Sequence, residues 1–253
     1  MARRPRAAGR YGPRAWGLTT LNRAPPSWPR AVVFDLDGTL VDSAPDIMAA
    51  LNATLAADGV APFDVERVKA MIGGGSRRLI ERALAARDQA ADVARIDRLV
   101  AIFEKIYADN PCQETRIFPG ALLLMEKLAA GGIRLGLCTN KPGTATLPLL
   151  AALDLARHFG AVVTGSDGFA KKPDAAMLIA TFARLGCTAQ DGVMIGDSGA
   201  DVGCARAAGC PVVLVSFGYT PEPARALGAD AVVDSFAEIL PILQTIHRSH
   251  MRA

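Results

Sequence analysis

Four short stretches hold the residues from which chemistry could be built. Asp35-Leu36-Asp37-Gly38-Thr39 sets two carboxylates two positions apart with a hydroxyl behind them. Thr139-Asn140-Lys141, Lys171-Lys172-Pro173 and Gly196-Asp197-Ser198-Gly199-Ala200-Asp201 add a second hydroxyl, lysines and two further carboxylates. Brought together, the carboxylates repel one another, and burying them unpaired is expensive, so the set calls for a cation. Mg²⁺ suits it, being hard, oxygen-seeking and satisfied by one or two carboxylates, waters and the oxygens of a phosphate. A carboxylate relieved of that repulsion by Mg²⁺ and a lysine can attack phosphorus. An aspartyl phosphate formed in this way splits one slow transfer into two easier ones. The lysine and the hydroxyl would then hold the equatorial oxygens of the transition state.

The surrounding sequence predicts the convergence. Ala31-Val-Val-Phe34 is a short apolar run that ends in acids, as a buried parallel strand would. Similar runs recur at 133–138, 161–164, 192–195, 211–215 and 231–233. Helical patterns lie between them at 121–130, 144–153, 175–185 and 201–208. This alternation predicts an α/β fold, a Rossmann-like parallel sheet covered by helices, whose ligands bind beyond the C-terminal strand ends. Each chemical stretch follows one of the runs. The interval 44–116 breaks the rhythm with four helical patterns and no strand candidate, which predicts a small all-helical cap inserted after the first strand and able to act as a lid. The core is then 31–43 with 117–253, the cap 44–116, and residues 1–30 a disordered, basic, proline-rich extension.

D-x-D-G-T after an apolar strand, a strand-end Thr, K-P and G-D-S-x-x-D, in this order over about residues 31–247, resemble the haloacid-dehalogenase superfamily. The resemblance implies that Asp35 is the nucleophile, and that Asp37 protonates the leaving oxygen and later activates water. It also implies Asp35, the Asp37 carbonyl and Asp197 as Mg²⁺ ligands, Thr139 and Asn140 on the phosphoryl oxygens, and Lys172 beside Asp35 and the phosphate. The resemblance further implies that Asp201 binds through a metal water or orients Lys172. Taken singly, Asp37-Gly38 would serve as a turn, Thr139 and Asp201 as helix N-caps and Lys172 as a surface charge. The family's K-P-x-P is here Lys172-Pro173-Asp174-Ala175, without the second proline.

The superfamily's dehalogenases lack an aspartate at the position of Asp37, so its presence points to phosphoryl transfer. Thr139-Asn140-Lys141-Pro142, Ile72-Gly-Gly-Gly-Ser-Arg-Arg-Leu79 and Val215-Ser-Phe-Gly-Tyr219 look most like the phosphoglycolate phosphatases. That implies a small phosphomonoester substrate, 2-phosphoglycolate foremost, with sugar phosphates, a phosphosugar mutase or a non-catalytic phospho-ligand-binding role as alternatives. In the cap, Gly73–Gly75 before Ser76-Arg77-Arg78 predicts a helix start that attracts a substrate carboxylate, with Arg77, Arg78 or Lys69 as its cation. Phe103 and Tyr107, at helical spacing, are expected in the cap's own core.

Composition narrows the partners. With 253 residues, 51% apolar and 21% charged, the chain can close a real core. The net charge of +3 comes from seven arginines in an acid-free segment 1–30, so the remainder carries −4. An acidic body without a binding module argues against nucleic acid. Five cysteines with no C-x-x-C pair read as reduced thiols rather than zinc ligands or disulfides. No apolar stretch reaches the ~20 residues of a membrane span, which points to a cytoplasmic protein, monomeric or homodimeric.

Overall fold

In the computed structural model, which describes residues 28–110 and 112–250, the apolar runs form one six-stranded sheet. Its strands are β1 (Ala31–Phe34), β4 (Arg134–Cys138), β5 (Ala161–Val163), β6 (Gly192–Gly196), β7 (Val212–Val215) and β8 (Ala231–Val233). All pair in parallel, in the order β5-β4-β1-β6-β7-β8. Because both faces are covered, the strands are apolar throughout rather than alternating. Along β1, Val32 and Phe34 enter one face cluster, while Ala31 and Val33 enter the other. The helices outside the insertion are α5 (Ala121–Ala130), α6 (Gly143–Ala152), α7 (Ala176–Arg184), α8 (Gly199–Ala208) and α9 (Ile239–His250). From β1 the chain builds outward to β4 and β5, then crosses to β6 on the other flank of β1. That reversal opens a crevice beyond the C-terminal ends of β4, β1 and β6. The predicted basic extension falls on residues 1–27, outside the described residues, except for its last three.

Four helices follow β1: α1 (Ala44–Ala56), α2 (Val65–Lys69), α3 (Ser76–Ala85) and α4 (Val93–Asp109). Asp64 and Asp92 start α2 and α4 by accepting the amides of Arg67 and Arg95 at 2.8 and 2.7 Å. Ile47, Leu51, Leu55, Leu79, Ile80, Leu99 and Phe103 form a separate apolar cluster, whose member from the sheet domain, among the described residues, is Ala145 of α6. Two strands absent from the sequence reading, β2 (Val41–Asp42) and β3 (Arg116–Ile117), pair antiparallel and bring the two ends of this helical module side by side. Two residues a side carry too little pattern to be read from sequence. Among the described residues no helix is long and apolar enough to cross a membrane. All five cysteines are unpaired, and Cys138, Cys204 and Cys210 are buried.

Candidate active site

Asp35 is the first residue after β1, Asp197 the first after β6, and Thr139 the first after β4. Lys172, in the loop between β5 and α7, turns its ammonium under them and is 5% exposed. Its Nζ lies 2.9 Å from Asp35 Oδ1 without hydrogen-bond alignment; the bond it makes is to Asp201 Oδ1 at 2.7 Å. Asp201 is the third residue of α8, and its other oxygen accepts Ser198 N, Ser198 Oγ and Asp197 N at 3.1, 2.7 and 3.2 Å. One oxygen therefore closes a capping box from the third helical position, where Ser198 rather than Asp201 is the N-cap, while the other bonds the lysine as the orienting alternative expects. Asp197 accepts Tyr219 N at 2.7 Å and Thr39 Oγ1 at 3.2 Å.

Three buried carboxylates thus share one ammonium. Burial pushes the Asp35 carboxyl up to about 6 against the pull of Lys172. Burial, then the charges of Asp201 and Asp35, hold Asp197 well above the ordinary carboxylate value. Burial alone would lower Lys172, but Asp201 and Asp35 more than reverse it and keep the ammonium charged.

Asp37 belongs to a second group. Lys141 Nζ donates to both its oxygens at 2.9 and 3.1 Å and Ser43 Oγ donates to Oδ1 at 2.5 Å. Lys141 also reaches Tyr107 OH at 2.9 Å and sits 4.4 Å from the centre of that ring. The sequence reading has no role for Lys141 and assigns Tyr107 to packing alone. Tyr107 is buried in the helical cluster, as that reading expects, but its hydroxyl also joins the module to Asp37 through Lys141. A polar tip on a helical apolar stripe gives no signal of where it will point.

A cavity of about 660 Å³ opens above these residues, lined by Asp35, Asp37, Thr139 and Lys172 from below and by Gly73–Arg78, Phe103 and Tyr107 from the helical module. Two expectations change here. Arg77 is ion-paired with Asp97, and Arg78 with Glu81 one turn along at 3.0 Å, so both arginines line the cavity with their charges already matched. Lys69 is likewise paired with Glu66 at 2.9 Å. The side-chain amide of Asn140 is also filled: Nδ2 donates to Gly73 O and Lys172 O, each at 3.0 Å, and Oδ1 accepts Lys172 N at 2.9 Å. What Asn140 retains for a phosphoryl oxygen is its backbone N–H, while its side chain fixes the Lys172 loop and touches the module.

Residues 32–215 match the model of the haloacid dehalogenase-like hydrolase family. The chain belongs to that family. It is 49% identical over 216 residues to a phosphoglycolate phosphatase of Rhodospirillum rubrum, covering 83% of this chain and 89% of the relative. A phosphoglycolate phosphatase of Agrobacterium fabrum is 40% identical, with 83% and 91% covered. Among solved structures, a predicted phosphoglycolate phosphatase of Haemophilus somnus superposes with a TM-score of 0.79 at 29% identity, covering 84% of this chain and 97% of that one. CbbY from Rhodobacter sphaeroides, solved in complex with phosphate, gives 0.71 at 26%, with 83% and 96% covered.

Within this hydrolase the acidic cluster fits a divalent cation. Asp35, Asp197 and Asp201 each offer an oxygen within 4.8 Å of the others, and the three carboxylates outnumber Lys172 by two charges. Asp35 Oδ1 is buried with no directed donor, and Asp201 has both oxygens engaged. Asp197 accepts one donor on each oxygen, so Asp35 is the carboxylate with an oxygen left open for an ion, and the Asp37 carbonyl accepts no hydrogen bond among the described residues. Tyr219, absent from the sequence-derived site, holds Asp197 through its backbone, while its hydroxyl accepts Ser43 N and Ala44 N at 2.7 and 3.0 Å and donates to Asp42 at 2.6 Å. The Val215–Tyr219 stretch marks family resemblance in sequence, but nothing there indicates that its tyrosine links a carboxylate to the module's entry strand.

Proposed function

We propose that the chain is a Mg²⁺-dependent phosphomonoester hydrolase that works through an aspartyl phosphate and converts 2-phosphoglycolate to glycolate and phosphate. The observation that carries the reading is Asp35, a buried carboxylate with an orphaned oxygen at the floor of a cavity, flanked by Lys172 and Asp197. The names of the 40–49% identical relatives support the substrate.

Asp35 attacks phosphorus and the bond to the leaving oxygen breaks, that oxygen taking its proton from Asp37. Lys172, Thr139 Oγ1 and the Asn140 N–H hold the phosphoryl oxygens as charge spreads over them. Asp37, fixed by Lys141 and Ser43, then takes a proton from the water that cleaves the aspartyl phosphate. Asp35, Asp197 and the Asp37 carbonyl would hold Mg²⁺, which when bound offsets the carboxylate charge and that of the phosphoryl group. The helical module acts as the cap over the reacting group. Five unpaired thiols suit a reducing compartment and hence a cytoplasmic enzyme.

The test is phosphate release by purified protein in Mg²⁺ from a panel of 2-phosphoglycolate, sugar phosphates and aryl phosphate. Highest kcat/KM on 2-phosphoglycolate is expected, with no turnover by a folded Asp35→Asn variant. Preference for a sugar phosphate would overturn the substrate, and turnover by Asp35→Asn would overturn the nucleophile.

A further inference from the structure

Six cationic side chains border the active-site cavity: Arg77, Arg78, Arg82, Lys141, Lys171 and Lys172. Five have acceptors. Arg77 and Arg78 are paired with Asp97 and Glu81, and Arg82 donates to the carbonyls of Met71 and Ile72 at 2.8 and 3.2 Å. Lys141 holds Asp37, and Lys172 lies between Asp35 and Asp201. The ammonium of Lys171 has no hydrogen-bond or ion-pair partner among the described residues, although the residue is half-buried.

Lys171 is also placed where the two parts of the molecule meet. A Cβ built on Gly75 would stand 2.8 Å from Lys171 Nζ and 3.1 Å from Asn140 O. One built on Gly165 would stand 3.2 Å from Lys171 Cε. The missing side chain at Gly75 therefore leaves the room that the ammonium needs. Gly75 precedes α3 at φ +82°, and no side chain caps that helix, so its first amides add partial positive charge beside the lysine. The cavity's unpaired carboxylates, Glu104 and Glu222, would repel an acid placed near them. An acidic group on the substrate is then favoured at one cation.

We propose that Lys171 recognises the acidic part of the leaving group, so that the favoured substrates are phosphomonoesters of small hydroxy acids. The assignment rests on the phosphatase reading and locates its selectivity. Lys172, Thr139 and Asn140 meet only the phosphoryl group and Asp37 only the ester oxygen, so none of them senses what lies beyond that oxygen. Discrimination needs a free charge at a distance, and an ammonium facing a carboxylate with little water between them provides it.

The experiment compares kcat/KM on 2-phosphoglycolate with that on ethyl phosphate, which has the same two carbons and no carboxylate. In the wild-type enzyme the ratio should be well above one. Lys171→Met should lower it by roughly ten- to a hundredfold, the size of one charge-assisted contact, chiefly through KM on the acid. Lys171→Arg should restore most of it, and Arg77→Ala with Arg78→Ala should leave it within about threefold. An unchanged ratio in Lys171→Met overturns the assignment, as does a fall confined to the arginine variants. A wild-type ratio near one overturns both the acidic substrate and Lys171, whereas absence of turnover on every phosphomonoester overturns the phosphatase reading itself. Circular dichroism and melting temperature of Lys171→Met and of a Lys171→Gln control separate a lost contact from a lost fold.

Discussion

Burial takes the Asp35 carboxyl out of water, and three carboxylates share one ammonium, so without a cation Asp35 keeps its proton up to about pH 6. The folded chain binds this proton more tightly than the unfolded one, whose Asp titrates near 3.8, so the stability it contributes is complete at low pH and is lost as pH rises toward 6. Asp197 is shifted in the same direction and adds to the effect. In chelator, the melting temperature of the wild type relative to Asp35→Asn should therefore fall between about pH 4 and 7. Thermal melts across that range check it, and a flat difference would show that Asp35 is not desolvated in solution. Mg²⁺ should remove the trend above pH 6 by taking the proton's place.

The two ends of the helical module are fastened by Asp46 in the first turn of α1. Its carboxylate accepts Gln113 N, Glu114 N and Thr115 N at 3.0, 2.9 and 2.9 Å, and Thr115 Oγ1 at 2.6 Å. Burial would raise this carboxyl, but the Thr115 hydroxyl and the three amides outweigh it and hold it below the ordinary value. With the β2–β3 ribbon and Tyr219, this clamp sets how the module leaves and rejoins the sheet domain. Asp46→Ala would strand three amides, at an expected cost of about 3 kcal/mol. Urea unfolding measures it, and a loss under about 1 kcal/mol would mean that water replaces the carboxylate. A different element guards Asp197: a Cβ on Gly218 would stand 2.2 Å from Asp197 Cβ and 2.4 Å from its Oδ2. Gly218→Ala should displace that carboxylate and weaken Mg²⁺ activation at least tenfold while the sheet stays folded, which a Mg²⁺ titration of activity beside circular dichroism would resolve.

Across the whole molecule, charge balance links metal binding to stability. Three carboxylates share one ammonium under the cavity, so a divalent cation that binds only the folded state and displaces the protons they retain should raise its melting temperature. At a concentration about a hundred times its Kd the gain is roughly 2.7 kcal/mol. For a chain of this size that corresponds to roughly 5–10 °C. Ca²⁺ should stabilise as well but inhibit turnover, because its looser, higher coordination misplaces the attacking carboxylate. Differential scanning calorimetry with Mg²⁺, Ca²⁺ and chelator tests this, and a Mg²⁺-independent melting temperature would contradict the ion site.

The parallel α/β architecture was legible in the sequence, because strands buried on both faces must be apolar throughout and parallel strands need crossovers between them. So was the convergence of Asp35, Thr139 and Asp197, since each directly follows a strand and strand ends in such a sheet share one edge. Lys172 was legible in its motif, and the structure adds that its firmest bond is to Asp201. Glu66 and Glu81 match Lys69 and Arg78 locally, three residues away, but the other charge matches at the cavity came from tertiary structure. Arg77 neighbours the glycine loop in sequence, yet Asp97, twenty residues along the chain, occupies it. Lys141, Tyr107 and Tyr219 became part of the site through contacts spanning 22 to 177 residues, for which no local pattern exists. Periodicity reports which face of an element is buried, because burial acts on every residue of that face. A hydrogen-bond partner brought in by folding acts on one atom and leaves no periodic trace.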